Sequence, residues 1–150
     1  MAIVRSAGSE IIRSHHFPIV DSTDSVLIFG VAHHVYTVLS VVVYCNTLQA
    51  ASNYFRMWVT GYDSKAGTSG VTCNIFRHEF AAVSDTYIWN DKFSFNGNEP
   101  TDFTGPMDSI VKQDAIADQA QATPQYLKCK SEHADDNFHV TITFIDQNNA

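Results

Sequence analysis

HVYTVLSVVVYCNT, residues 34–47, decides the fold class. Val35, Leu39, Val41, Val43 and Cys45 share one parity with only Thr37 polar, and Tyr36, Val38, Ser40, Val42, Tyr44 and Asn46 share the other. β-branched and aromatic residues at a period of two specify a long strand, because successive side chains leave opposite faces of an extended backbone. The next segment, Asn53 to Thr60, repeats the pattern with Phe55, Met57 and Val59 inward and Tyr54, Arg56 and Trp58 outward.

Working outward, Val26-Leu-Ile-Phe29 is a short apolar run closed by Gly30, as expected of a strand buried on both faces. Residues 61–70 have the composition of a loop. Further strands are predicted at Val71 to Phe80, Thr86 to Trp89 and Lys92 to Phe95, followed by a tight turn at Asn96-Gly97. Leu127 to Lys130 and Phe138 to Ile145 are predicted to close the chain as a hairpin. Seven or eight short strands with polar turns define an all-β class, an antiparallel two-sheet sandwich of jelly-roll or Ig-like type. Residues 1–24, where short apolar pairs alternate with Arg, Ser and His, read as an extended N-terminal arm, and residues 25–150 as the sandwich domain. Pro106 opens an Ala-, Gln- and Asp-rich stretch that predicts a short helical insertion near 106–121.

Only 17% of the 150 residues are charged, against about 25% in ordinary soluble domains. With 45% hydrophobic residues, disorder of the whole chain is excluded. No apolar run approaches the ~20 residues of a membrane-crossing helix, so no membrane partner is expected. The net charge of −7 lies wholly in residues 76–150, with five basic and twelve acidic side chains, whereas residues 1–75 carry four of each. No basic stripe is visible along the chain, and direct nucleic-acid binding is not expected. Cys45, Cys73 and Cys129 form no CxxC spacing, which argues for free thiols in a reducing compartment. The first residues lack the apolar core of a signal peptide, so secretion is not indicated.

Chemistry is sparse. The pairs His15-His16 and His33-His34 point to opposite faces in extended chain and cannot chelate one ion from one strand. His133 and His139 flank a turn and could meet across the last hairpin. Asp21-Ser-Thr-Asp24 and Asp135-Asp-Asn137 read as Asx turns rather than calcium loops. Neither a Gly-x-Ser-x-Gly nor a phosphate-cradling loop occurs, and we expect no enzyme, no cofactor and no metal. Four aromatics stand out as outward: Tyr54, Trp58, Tyr87 and Trp89, suited to a subunit interface, to packing, or to a sugar-binding platform.

Residues Thr37 to Thr47, followed by Ala50 to Val59, resemble a pattern in small β-sandwich virion structural proteins of tailed bacteriophages. There a long apolar strand ends in a Cys-Asn-Thr-like step and a polar turn leads into an aromatic strand. The resemblance covers residues 25–95 and 125–146 and brings no catalytic residues. It implies a non-enzymatic capsid decoration or cement protein in the virion, assembled in the host cytoplasm. The implied partners are the major capsid protein or other virion proteins, in a homo-oligomer that is a trimer by analogy. Neck, tail or baseplate components and a carbohydrate-binding module are the alternatives. A docking arm would present Ile3, Val4, Ile11, Ile12 and Phe17 to a neighbour.

Overall fold

The computed structural model describes residues 8–63, 68–98, 108–111, 113 and 124–149. Among the described residues nine strands form two antiparallel sheets: β1 (Glu10–Val20), β2 (Ser25–Phe29), β3 (His34–Thr47), β4 (Tyr54–Asp63), β5 (Thr68–Glu79), β6 (Thr86–Trp89), β7 (Phe93–Asn96), β8 (Tyr126–Ser131) and β9 (Asn137–Asn148). Sheet A has the order β1-β9-β3-β6, with β7 also on β3, and sheet B the order β2-β8-β4-β5. The chain changes sheet at nearly every connection, and last strands pair beside first ones. That order is the jelly roll rather than the Ig fold.

The core fills the space between the sheets. Val38, Val41, Val43 and Cys45 of β3, with Val140 and Ile142 of β9, face Phe55 and Met57 of β4 and Leu127 and Cys129 of β8. Phe138 packs against Phe55 and Phe80 at centroid distances of 5.8 and 4.8 Å. The expected all-β two-sheet sandwich is what these strands build.

Several local expectations are corrected. The strand at 34–47 is present, but its parity changes at a bulge between Val38 and Ser40. Tyr36 and Val38 point inward before the bulge and Val41, Val43 and Cys45 after it, while Val35 and Leu39 are only half-buried. Opposite this bulge the partner strand breaks. β6 pairs with Val41–Tyr44 and β7 with Val35–Val38, so both run in one direction as two halves of a single strand interrupted at 90–92.

β8 and β9 do not form the expected hairpin. β8 pairs with β2 and β4 in sheet B, β9 with β1 and β3 in sheet A. Each carries one apolar face, and both bury it only by arching to opposite sides of the core. Residues 10–20 of the expected arm are likewise a strand. β1 pairs with β9 from Glu10 to Val20, because β9 is buried and needs ladder partners on both edges. Most of the insertion expected over 106–121 lies outside the described residues. Within it, Ile110, Val111 and Gln113 are helical, and Gln113 N–H donates to the Ser109 carbonyl at 3.1 Å.

Asn96-Gly97 is not a hairpin turn. Gly97 lies where three chain segments cross: its N–H donates to the His34 carbonyl, its carbonyl accepts from Gln125 N–H, and Gly30 N–H donates to the Gln125 carbonyl, each at 2.8 Å. A Cβ on Gly97 would fall inside the Val31 carbonyl, and one on Gly30 inside the Gly97 carbonyl. Glycine is required there for close backbone approach.

Candidate functional site

Strand register sorts the outward side chains of sheet A into rows. His16, Thr141, Val42 and Ile88 form one; Ser14, Thr143 and Ser40 another; Ile12, Ile145, Thr37 and Ser94 a third. His139, Tyr44 and Thr86 complete the face at one end. None of these positions is Asp, Glu, Lys or Arg; beyond Ile12 the next row, Glu10, Gln147, Val35 and Asn96, carries the exposed Glu10 at the edge of the face. Hydroxyls bond to their cross-strand neighbours: Ser14 to Thr143 at 3.0 Å, and Thr37 to Ser94 at 2.8 Å. His16 Nδ1 meets Thr141 Oγ1 at 2.8 Å, and His139 packs edge-on to His16 at 5.8 Å and against Tyr44 at 5.7 Å. Ile12 and Ile88 stand 69% and 58% exposed on this face. From the Ile12 row to the Ile88 row the face can be covered without desolvating an Asp, Glu, Lys or Arg, the property that marks the centre of protein interfaces.

Sheet B presents the opposite character. Lys130, Arg56 and Arg77 are directly opposed across β8, β4 and β5, and Lys128, Trp58 and Asn74 form the adjacent row. Four of the six described Lys and Arg side chains therefore share one face. The absence of a basic stripe expected from the linear sequence is corrected here. Strand pairing gathers cations that lie up to 74 positions apart in the chain, a distance that arithmetic along the sequence does not see.

The four aromatics do not share a platform. Tyr54 and Trp58 do lie on the outer face of sheet B, but Trp58 is only 4% exposed, with the Arg56 guanidinium over its ring at 4.6 Å. Arg77 lies over Tyr54 at 3.9 Å. Tyr87 and Trp89 turn inward, where Tyr87 stacks on His78 at 4.0 Å and Trp89 on Phe76 at 6.0 Å. Wide rings bridge the gap between β5 and β6, and Ile88, the residue between them, takes the solvent side.

Of the proposed docking residues, Ile3 and Val4 lie outside the described residues. Ile11 is half-buried opposite Asp146, and Phe17 packs against the core. Of those described, Ile12 alone projects onto the outer face. Phe17, Val26, Leu27, Phe29 and Phe144 line a groove of about 450 Å³ on the β1 and β2 side of the sandwich.

Two buried carboxylates are not legible as such in the sequence. Asp146 takes Arg13 Nε at 3.0 Å and His34 Nδ1 at 2.6 Å, tying β1, β9 and β3 together. Asp136 accepts from Gln49 N–H at 2.8 Å, Asn53 Nδ2 at 3.1 Å and His133 N–H at 3.1 Å, clamping the β8–β9 arch to the β3–β4 loop. Burial first, then the charges of Asp136 and Asp85, push the Cys45 thiol up to about 11. Burial and then Asp24 push the Cys129 thiol up as well. His133 is turned to Asp135 within its turn, whereas His139 faces His16 and Tyr44. Among the described residues no group of three or more His, Cys, Asp or Glu is placed to hold a metal ion.

No family model and no curated protein matches the chain. Among solved structures it is similar, at 7% identity and a TM-score of 0.44, to a chain from Bacillus endospore appendages, which form a family of disulfide-linked pili. That alignment covers 100% of this chain and 97% of the other. At such identity and score the likeness says nothing about what this chain does.

Proposed function

We propose that the protein is a non-enzymatic structural component of a bacteriophage virion, a capsid decoration or cement protein that docks through the outer face of sheet A. The particle comes from the sequence resemblance. The observation that carries the docking mode is the charge-free face running from Ile12 to Ile88, with its two exposed isoleucines in a chain whose net charge is −7. A face of that size without charged side chains costs little to desolvate, and exposed aliphatic residues gain from being covered.

The test is to add purified protein to undecorated heads and image the product. Saturable occupancy at defined lattice positions is expected, and Ile12→Asp with Ile88→Asp should abolish it while leaving the monomer folded. No binding at saturating protein overturns the reading. A mass-spectrometric copy number per virion separates head decoration, expected in hundreds, from a neck or tail component. Zero copies removes the virion reading altogether.

A further inference from the structure

We propose that the outer face of sheet B is a second docking site, specific for an acidic polypeptide segment whose carboxylates are taken by the Arg56–Arg77 pair. Three cations stand in one cross-strand row, Lys130, Arg56 and Arg77. Like charges directly opposite one another destabilise a sheet unless an anion lies over them. The counter-charges at hand serve the ends of the row and not its centre. Glu79 reaches Arg77 at 3.3 Å with both side chains more than half exposed, and Asp24 lies 3.8 Å from Lys130 and 3.9 Å from Lys128. Among the described residues no acid pairs with Arg56, and its Nε is buried without a hydrogen-bond partner.

The guanidinium groups are also pre-positioned. Arg56 lies on Trp58 and Arg77 on Tyr54. Stacking fixes the plane of a guanidinium, and with Arg56 Nε buried it is the terminal Nη edge that would meet a bidentate carboxylate. Between them Tyr54, Asn74 and Ile75 help form a concavity of about 420 Å³, enough for an acidic side chain and its neighbours. The bulge that skips Ile75 in the β4–β5 register opens it.

Charge geometry selects the class of ligand. Three strands at about 4.8 Å spacing make a row about 10 Å wide, which matches two or three carboxylates. Duplex DNA carries a charge every ~1.7 Å along its axis and would run past the row onto Glu79 and Asp24, then onto a chain of net charge −7. A short acidic peptide meets neither obstacle.

The experiment is fluorescence anisotropy of a short labelled peptide rich in Glu and Asp, titrated with the full chain at low and at physiological salt. Saturable binding that weakens with salt is expected, and Arg56→Gln with Arg77→Gln should weaken it at least about tenfold. No saturable binding, salt-insensitive binding, or undiminished binding by the folded double variant would each overturn the proposal. Duplex DNA of matched charge binding as tightly as the peptide would overturn it in favour of nucleic acid. Sheet A takes no part in this assay, so its failure leaves the head-docking reading standing.

Discussion

The two outer faces of this sandwich are made from the same kind of alternating strand and arrive at opposite surface chemistry. Sheet A shows Ser, Thr, His, Ile and Val in rows with a single charge, Glu10, at their edge, while sheet B shows stacked aromatic–arginine pairs and a row of cations. Inward parity in both sheets is set by the core and leaves little choice. Outward parity is free of that constraint, so the two faces are free to differ.

That contrast depends on the two sheets being held in fixed relation, and the largest expected effect attacks this relation. Gly97→Ala places a methyl group inside the Val31 carbonyl at the three-segment crossing. We expect a loss of about 3 kcal/mol or more, read as a collapse of the thermal midpoint, since backbone rather than a flexible side chain must give way. Asp136→Ala comes next, with an expected loss of about 2–3 kcal/mol in chemical denaturation, because three donors lose their buried acceptor. If either variant unfolds as late as the wild type, the arches do not fix the faces.

Alkaline pH probes the core between the faces. Cys45 is protonated more tightly in the fold than in the unfolded chain, whose thiol titrates near 9.0. The unfolded state therefore releases its proton first, and stability falls as pH rises above 9.0 toward about 11. Denaturation midpoints measured at neutral pH and at about pH 10.5 should show that fall, and Cys45→Ala should reduce it. In the same range a thiol reagent added to folded protein should label Cys73, which is exposed, and spare Cys45 and Cys129, which are buried. The smallest effect sharpens the comparison most. Arg56→Gln is expected to leave stability unchanged or raise it by a few tenths of a kcal/mol, since it removes the middle of a like-charged row. A marked loss instead would mean that Arg56 is a packing residue over Trp58 and not a recognition residue.

The fold class is readable because residues 34–47 and 53–60 alternate over a length that no helix would tolerate. Parity before the bulge is not, since Leu39 and Val38 are equally apolar and only pairing with β9 decides which turns in. The same ambiguity misplaces Tyr87 and Trp89, because in Tyr-Ile-Trp either parity could be the core and the gap between β5 and β6 selects the rings. The arm misleads for a different reason. β1 is an edge strand whose residues are mostly exposed, so it lacks the alternation that marks half-buried strands. The cation row is invisible in principle, because Arg56, Arg77 and Lys130 meet only through the β4–β5 and β4–β8 ladders.

The position of β9 has a consequence for the order of events during synthesis. It follows every other strand described, yet it sits inside sheet A with β1 on one side and β3 on the other. Until it emerges, the long strand at 34–47 lacks one of its neighbours and β1 lacks its ladder partner. β8 likewise joins β2 to β4 in sheet B, so before residues 126–148 emerge only the β4–β5 and β3–β6 or β3–β7 pairings can form. Both outer faces thus come into being only when β8 and β9 slot into place.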